Sequence, residues 1–309
     1  MAWTHYRLVF RLESPLHIGW RKAGNLMQTR RYVPGKNLWA ALTEALVHRA
    51  GRGRDGRAYQ AVGEALKQHF RFGYLWPARG RKRDDGSWEP PTAPHFPWKE
   101  GSSPEYWDYL YLDGTARTAL DATARTAAEG MLHEVEYIAP YTREGQPVYL
   151  VGDLWVRDEV PPEIDINGAT IPLEWEQALR RLQIGGERGY GWGRVRLVCR
   201  RSQNSTTVTS GYTWMSANGE VCITVDGQQR LTAHTQAGDD EALSTISGPV
   251  EPLTGWERRG SRGRNWHLAK AMIVYVPGGI PAGKITVRVH PYGWWSVCGP
   301  TEEKHNGET

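Results

Sequence analysis

The chain has 309 residues, of which 39% are hydrophobic, and a formal net charge of +4. This length allows one large or two modest domains with a real hydrophobic core. Its three cysteines, Cys199, Cys222 and Cys298, are far apart in sequence and form no Cys-x-x-Cys pair, which argues against a disulfide framework or a zinc knuckle. The N-terminus lacks the apolar segment of a secretory signal, and no stretch approaches the roughly 18 apolar residues of a membrane helix. We therefore expect a soluble cytoplasmic protein without a membrane partner.

The aromatic residues are skewed toward rings with a polar edge, with 15 Trp and 14 Tyr against 4 Phe. Such rings suit wet surfaces and stacking. Arginines cluster in runs over 49–57, 79–83 and 258–264, which predicts local basic patches on a chain of low net charge. Taken singly, each run is better explained as a solvated loop.

The N-terminal part of the chain predicts a strand followed by two helices. Residues 6–13 alternate as a strand that ends at a Ser-Pro pair. Asn37 is the predicted N-cap of a helix that ends just before Gly51, and a second helical pattern covers residues 58–70. The Pro-, Gly- and Trp-rich stretch over 77–106 predicts a long surface insertion.

The remaining pattern predicts two domains. The next predicted elements are a helix over 116–129, strands over 131–138 and 148–156 joined as a hairpin, a helix over 172–183 and a strand over 193–200. The order strand, helix, two strands, helix, strand is that of a ferredoxin-like domain, which also underlies RNA-recognition modules. Short β runs follow over 206–215, 221–225, 230–235, 269–276 and 284–289. We expect an α+β fold with a ferredoxin-like or RRM-like domain with insertions over residues 1–201 and a mostly β domain over 202–309.

The most informative stretch is a run of five glycines between Leu182 and Val195, broken by arginines and aromatic residues. Glycine allows positive φ and close backbone approach, so that successive N–H groups can converge on phosphate oxygens. The run lacks the Gly-Lys-Ser/Thr ending of a triphosphate loop, and it follows a helical pattern and enters a strand, unlike a dinucleotide-binding turn. The alternative is a glycine-rich turn that merely packs tightly, but the arginines and aromatic residues favour RNA.

Three motifs in this order resemble the RAMP superfamily of CRISPR-associated proteins. They are the strand exit Ser-Pro-Leu-His-Ile-Gly, the helix entry Tyr-Val-Pro-Gly-Lys-Asn-Leu-Trp-Ala-Ala-Leu and the glycine run Ile-Gly-Gly-Glu-Arg-Gly-Tyr-Gly-Trp-Gly-Arg-Val. Together they cover roughly the first 200 residues. The resemblance implies an RRM-like RAMP domain that holds a guide RNA inside a multisubunit antiviral effector complex.

The resemblance leaves several roles open. Backbone subunits of type III systems cut target RNA with an aspartate in the loop after the first strand. Here residues 20–33 contain no Asp or Glu that could hold Mg²⁺, so we expect no target cleavage. Processing subunits are metal-independent precursor-crRNA endonucleases that use a histidine, and His17 and His48 are candidates by position. His17 is equally suited to shaping the strand exit, and His48 to interacting with a helix C-terminus.

The third role, the Cas-five-like handle-capping subunit of a type III or type III-derived complex, fits the residues best. It grips the repeat-derived 5′ handle of the crRNA, ends the backbone filament, and requires no catalytic group, metal or cofactor. The implied partners are the guide RNA, nearby target RNA, Cas-seven-like backbone subunits, and a nuclease or large effector subunit. The alternatives are the precursor-crRNA endonuclease, a backbone-type RAMP subunit, and a protein-interaction scaffold.

The RNA-binding residues that this resemblance implies are basic, aromatic or glycine residues in four segments. They are His17, Arg21, Lys22, Arg30 and Arg31 after the first strand, Lys36 and Asn37 at the helix entry, Arg117, Arg125 and Arg143 in or beside a segment resembling the family's thumb, and Gly185, Gly186, Arg188, Gly189, Tyr190, Gly191, Trp192, Gly193 and Arg194 in the glycine run. The glycines would admit the RNA backbone, the arginines would neutralise phosphates, and Tyr190 or Trp192 would stack on a base. Trp192 is equally suited to the core, and Glu187 is expected to pair with an arginine. The thumb resemblance implies an extended projection where helix propensity favours a helix over 116–129.

Overall fold

The computed structural model describes residues 2–121, 123, 126–127, 131–166, 168–203, 206–237, 246–259 and 265–298. The chain has an α+β fold with many strands and few helices. The α-helices in these ranges are α1 Gly35–Arg49, α2 Gly56–His69, α3 Pro104–Tyr111 and α4 Trp175–Ala178. No helix in the described ranges is both long and apolar enough to cross a membrane.

The strands form several sheets. Those of the first two thirds of the chain are β1 Trp3–Leu12, β2 Gly19–Ala23, β3 Leu26–Thr29, β4 Phe70–Phe72, β5 Trp76–Arg79, β6 Arg81–Lys82, β7 Trp88–Glu89, β8 Leu112–Arg117, β9 Leu120–Asp121, β10 Thr126–Ala127, β11 His133–Ile138, β12 Val148–Arg157, β13 Glu163–Ile166, β14 Ala169–Pro172, β15 Arg181–Gln183 and β16 Arg194–Gln203. The remainder are β17 Thr213–Ala217, β18 Glu220–Val225, β19 Thr235–Gln236, β20 Ile246–Ser247, β21 Val250–Arg259, β22 Asn265–Tyr275, β23 Ile280–Pro281, β24 Ile285–Val289 and β25 Trp295–Val297.

The largest N-terminal sheet has the order β15-β16-β1-β12-β4, with β5 also paired to β12, and all its pairs are antiparallel. Leu8, Phe10 and Leu12 of β1 are fully buried in one core with Leu42 of α1 and Leu66 of α2. Complete burial of such side chains contributes about 1.5–3 kcal/mol each. The predicted first strand is therefore confirmed, and it lies in the middle of the sheet.

The first two helices are confirmed with different starts. The N-cap position of α1 is Pro34, and the Asn37 amide donates to the Pro34 carbonyl oxygen at 2.9 Å, so the prediction of Asn37 as N-cap is wrong. Gly51 follows the end of α1 with a φ of +70°, as predicted. The carboxylate of Asp55 caps α2 by accepting from the Arg57 amide at 3.0 Å.

Three predictions from local pattern are wrong because tertiary pairing overrides propensity. The helix predicted over 172–183 is reduced to α4, since Leu182 pairs with Val195 in the sheet. The described part of 116–129 forms strands β8 to β10. Strands β11 and β12 exist as predicted, but they are not a hairpin, because β11 pairs with β8 and β3 while β12 belongs to the large sheet.

The predictions for residues 77–106 and for the location of the aromatic residues are also partly wrong. The first residues of the predicted surface insertion belong to β5, which pairs with β12 in the large sheet, and strands β6 and β7 and the start of α3 follow. The ring centroids of Phe96 and Trp98 lie 5.1 and 5.3 Å from that of Trp76. Many of the rings expected at wet surfaces are buried; the buried tryptophans include Trp3, Trp76, Trp107, Trp155, Trp192, Trp294 and Trp295. The tryptophan excess therefore serves packing to a large extent.

The C-terminal sheet has the order β17-β18-β24-β25-β19-β22-β21. The predicted strands overlap β17, β18, β22, β24 and the first residue of β19, whereas β21 and β25 are not predicted. Its core includes Trp3, Tyr74 and Trp155 from the N-terminal part together with Val221 and Trp295. The domain boundary after residue 201 stays a prediction.

The three cysteines are free thiols, and Cys222 and Cys298 lie close enough to form a hydrogen bond. Burial, together with a hydrogen bond and charge interaction with Cys298, raises the pKa of Cys222 to about 11.

A buried polar cluster joins the two parts of the chain. Arg30 donates to Glu251 at 2.6 Å, with side chains only 13% and 8% exposed. The other carboxylate oxygen accepts from the Trp20 indole at 2.9 Å. His234, fully buried, contacts Glu251 at 2.8 Å through Nε2 and the Tyr74 hydroxyl at 2.7 Å through Nδ1.

The charge state of this cluster follows from its partners. Burial alone would raise the pKa of Glu251, but hydrogen bonds from His234 and Trp20 and the charge of Arg30 lower it to about 2. Burial lowers the pKa of His234, which therefore donates as a neutral ring to an ionised Glu251. Arg30 and Glu251 thus form a buried ion pair between the N-terminal and C-terminal parts.

Replacing Glu251 by Gln is expected to lower the free energy of unfolding by about 3–5 kcal/mol, because it leaves the Arg30 charge buried without compensation. Urea unfolding measures the change, and the double variant Arg30→Met/Glu251→Leu should recover much of the loss. The matched control is Glu89→Gln, whose partner Arg81 is exposed and which should leave stability nearly unchanged. Equal behaviour of the two single variants would refute the structural role of the cluster.

Candidate nucleic-acid interface

The glycine run forms a hairpin between β15 and β16, here called the glycine hairpin (residues 184–193). Its base is closed by the Ile184 amide, which donates to the Gly193 carbonyl oxygen at 2.8 Å. Two further amides dock the hairpin on the exit of β1, Gly193 to the Pro15 oxygen at 2.7 Å and Gly186 to the His17 oxygen at 2.8 Å. The first and the last of the three sequence motifs, the strand exit and the glycine run, therefore meet in space.

Two glycines are required by this docking. Gly193 has a φ of +77°, and a Cβ there would lie 1.8 Å from the Ile184 carbonyl oxygen. Gly185 has a φ of +85°, and its Cβ would lie 2.4 Å from the His17 oxygen. Gly189 at the tip has open space around it. The glycines at the base thus serve close packing of backbone on backbone.

The amides of the hairpin are largely used inside the protein. Besides Gly186 and Gly193, the Tyr190 amide donates to the Glu187 oxygen at 3.0 Å and the Gly191 amide to the Arg188 oxygen at 2.9 Å. The amide of Arg194, which follows the hairpin, donates to Ser14 Oγ at 2.9 Å. These N–H groups cannot also converge on a phosphate, so the predicted amide cradle is wrong for them, and the tightly packed turn describes the base.

The tip of the hairpin presents side chains instead. Tyr190 is 74% exposed, and the guanidinium of Arg117, at the end of β8, lies 4.3 Å from its ring centroid and 4.4 Å from that of Trp192. Arg117 also pairs with Glu187 at 2.9 Å. We call these four residues the Arg117 junction. Two ring faces and a carboxylate fix this arginine, which places a positive charge beside an exposed aromatic ring.

Within the junction the two aromatic residues have different roles. Trp192 is buried and packs edge-on against Tyr137, with ring centroids 4.9 Å apart. It is therefore a core residue, and Tyr190 is the ring that is available for stacking. The predicted pairing of Glu187 with an arginine is confirmed.

Helix α1 flanks the other side of the hairpin. Arg188 pairs with Glu44 of α1, and His48, one helical turn further, lies 3.8 Å from the same carboxylate. Glu44 is not among the predicted residues, although its spacing of four residues from His48 places both on one helix face. The His48 side chain is 58% exposed.

His17 lies under the hairpin and joins two sheets. Its ring is nearly buried, and Nδ1 bonds the Glu136 carbonyl oxygen of β11 at 2.7 Å while its own carbonyl accepts from Gly186. This geometry matches the loop-shaping interpretation of His17.

The basic residues after β1 separate into exposed and paired groups. Arg21 and Lys22 are exposed on β2, where the Arg21 guanidinium stacks 4.2 Å from the Trp20 ring. Arg31 forms a bidentate ion pair with Asp108, in which Nε donates to one carboxylate oxygen at 2.6 Å. Arg30 belongs to the buried cluster described above, so its prediction as a surface phosphate ligand is not supported by its position.

The remaining predicted residues lie in several places. Lys36 and Asn37 are in the first turn of α1 and line a cavity of about 340 Å³. Arg143 pairs with Asp113 at 3.0 Å. Arg125 lies outside the described residues.

Comparison with known proteins gives a fold-level likeness. No family model and no curated protein matches the chain. A chain of the type III-B Cmr-beta complex bound to cognate target RNA and AMPPnP, determined by cryo-EM, is similar with a TM-score of 0.50 and 12% identity, covering 89% of this chain and 85% of that one. A chain of Cmr-beta bound to cognate target RNA has a TM-score of 0.47 and 13% identity over 89% and 86% of the two chains. At these identities the likeness concerns the fold.

Gly193→Ala is expected to destabilise the protein, since backbone strain of this kind costs about 1–3 kcal/mol before the clash with Ile184 is added. Gly189→Ala is the control within the same hairpin and should be nearly neutral. Urea unfolding of the two variants measures the difference. Equal stabilities would contradict the docking of the hairpin base.

Proposed function

We propose that this protein is a non-catalytic guide-RNA-binding subunit of a type III CRISPR effector complex. In this role it grips the 5′ repeat-derived handle of the crRNA as a Cas-five-like subunit and caps the backbone filament. Its partners would be the crRNA, the nearby target RNA and Cas-seven-like neighbours. The observation that carries the proposal is the Arg117 junction, where the guanidinium of Arg117 from β8 lies against the exposed ring of Tyr190 on the glycine hairpin.

The fold supports the proposal. The elements β1, α1, β4, β12, α4 and β16 follow the β-α-β-β-α-β order of ferredoxin-like domains, and we infer that they form the RAMP domain. The similar Cmr-beta chain belongs to a complex described as bound to cognate target RNA. That likeness agrees with the three sequence motifs, which were identified without it.

The junction suits unpaired RNA in particular. A base stacked on Tyr190 would contribute about 1–3 kcal/mol whatever its identity. Arg117 lies against the same ring and would meet the adjoining phosphate. In the described part of the chain the side chain of Arg194 has no acidic partner, so its charge is also open to phosphate. Recognition would rest on side chains at the tip, while the hairpin amides hold the tip in place.

Two carboxylates at this surface would compete with RNA phosphates for the arginines. Glu187 and Glu44 each hold an arginine of the site, Arg117 and Arg188 respectively. Without RNA these pairs keep the guanidinium groups ordered. A phosphate would compete with the carboxylates for the same donors, which makes binding sensitive to salt.

The precursor-crRNA endonuclease remains a second candidate because of one observation, the contact of His48 and Arg188 with the same Glu44 carboxylate. A histidine beside a carboxylate can transfer protons, and an arginine can bind the reacting phosphate. His48 is also exposed enough to reach an RNA backbone.

Tyr190→Ala should weaken binding of single-stranded RNA by about 5- to 150-fold, the equivalent of one lost stacking interaction. Tyr190→Phe keeps the ring and should bind like the wild type. Fluorescence anisotropy with crRNA that carries or lacks the repeat-derived 5′ sequence measures both affinity and handle preference. Tyr109→Ala, at an exposed tyrosine of α3, is the control. Unchanged affinity of Tyr190→Ala would exclude the junction as the RNA contact.

Cleavage separates the two candidates. Wild-type protein incubated with labelled repeat RNA in EDTA is expected to leave the RNA intact. Metal-independent cleavage that disappears in His48→Ala would replace the capping proposal with the endonuclease.

A further inference from the structure

A second basic surface lies beside the glycine hairpin, in a groove of about 760 Å³ at the edge of the large sheet. We call it the arginine groove. One wall is α1, the floor is β16, and the segment from α4 to β15 forms the other wall. Five arginines line it: Arg49, Arg180, Arg181, Arg196 and Arg200. Its lining includes no acidic residue.

The arginines of the groove are only partly compensated. Arg49, Arg196 and Arg200 pair with glutamates that lie outside the lining: Glu174 at 3.0 Å, Glu13 at 2.7 Å and Glu176 at 2.5 Å. Arg180 and Arg181 are exposed, and neither has an acidic partner among the residues that the structure describes. The groove therefore keeps a positive charge that no acidic residue in the described ranges neutralises.

The register of β15 on β16 brings two of these positive charges close together. Arg181 of β15 lies directly opposite Arg196 of β16 in the antiparallel pair. Like charges in directly opposed positions destabilise a sheet. Glu13 pairs with Arg196 but not with Arg181, so an anion placed between the two arginine side chains would relieve the remaining repulsion.

The lining of the groove suits a polymer that has both apolar and anionic parts. Leu197, Ala45 and Ala178 form the apolar part of the lining. Arg200 is held over the rings of Tyr6 and Trp175, at 5.1 and 5.2 Å from their centroids. An ordered guanidinium beside an apolar lining matches a sugar-phosphate backbone, whose sugars pack and whose phosphates take the charges.

The groove continues from the glycine hairpin. Ala45 follows Glu44, the partner of Arg188, along α1. On β16, Arg196 lies two residues after Arg194, on the same face of the strand. Because Glu44 is paired with Arg188 at this point, a single strand leaving the hairpin tip can enter the groove beside a compensated carboxylate.

We propose that the arginine groove binds the phosphodiester backbone of single-stranded RNA as a second site, continuous with the contact at the hairpin. This inference rests on the proposed RNA-binding function and extends it to residues that the sequence analysis did not select. A docking site for an acidic protein segment is the competing use, and the experiment below separates the two.

The test is the double variant Arg180→Ala/Arg181→Ala in the full chain, measured by anisotropy with labelled single-stranded RNA over a range of salt concentrations. Two lost phosphate contacts reduce the slope of log affinity against log salt by about 1.4 and weaken binding about 10- to 30-fold near 0.1 M salt. The unfolding midpoint should stay constant or rise slightly, because a like-charge contact is removed. The control with the same loss of charge is Arg81→Ala/Arg83→Ala, on the exposed β6–β7 hairpin, where both arginines pair with Glu89.

The outcomes distinguish this proposal from the proposed function. If Tyr190→Ala weakens binding while the groove variant matches its control in affinity and slope, the groove proposal is overturned and the hairpin contact stands. If the groove variant binds RNA with unchanged affinity but no longer assembles with partner subunits, the groove proposal is also overturned. The groove would then be a docking site for a protein. A wild-type chain that binds no RNA overturns both proposals.

Discussion

The docking of the glycine hairpin on the exit of β1 is the constraint on which the candidate site depends. Backbone hydrogen bonds to Pro15 and His17 hold the base of the hairpin, and positive φ at Gly185 and Gly193 permits the close approach. Backbone contacts of this kind have little freedom to shift, because each displaced amide would lose its partner in a packed environment. The tip, with Tyr190, is thereby held at a defined place beside β8 and α1. The same hairpin also fixes the register of β15 on β16, and with it the arginine groove.

The arginines of this chain differ more by environment than by sequence. Arg30 is buried against Glu251 and links the two parts of the fold. Arg117 and Arg188 each pair with one carboxylate, and their side chains are 20% and 39% exposed. Arg180 and Arg181 have no acidic partner in the described part of the chain. A net charge of +4 conceals this distribution, since a binding surface depends on where uncompensated charge lies.

Much of the fold could be predicted from local pattern, and the failures have a common physical cause. The first strand and the first two helices were recognised because their apolar periodicity faces one core. The prediction of a helix over 172–183 is wrong because Leu182 lies in an edge strand. It pairs there with Val195, which is 13 residues further along the chain. The tryptophans were assigned to surfaces, yet many fill a core between strands far apart in sequence, which a local pattern does not reveal. For the site, the glycine run predicts RNA contacts through its amides, but several of these amides are bound internally and Trp192 is buried, so that the exposed ring of Tyr190 is what the run offers to a ligand. Glu44 and Arg181 were missed because only the packing of α1 and β15 around the hairpin gives them a role.

Ultraviolet crosslinking of the wild-type protein to its bound crRNA within the assembled complex, followed by mass spectrometry of the crosslinked peptides, shows directly whether the glycine hairpin contacts the guide. We expect crosslinks on the peptide that contains Tyr190, carrying nucleotides of the repeat-derived 5′ end. Crosslinks confined to other surfaces, such as the exposed β6–β7 hairpin, with none on the glycine hairpin, would contradict this contact.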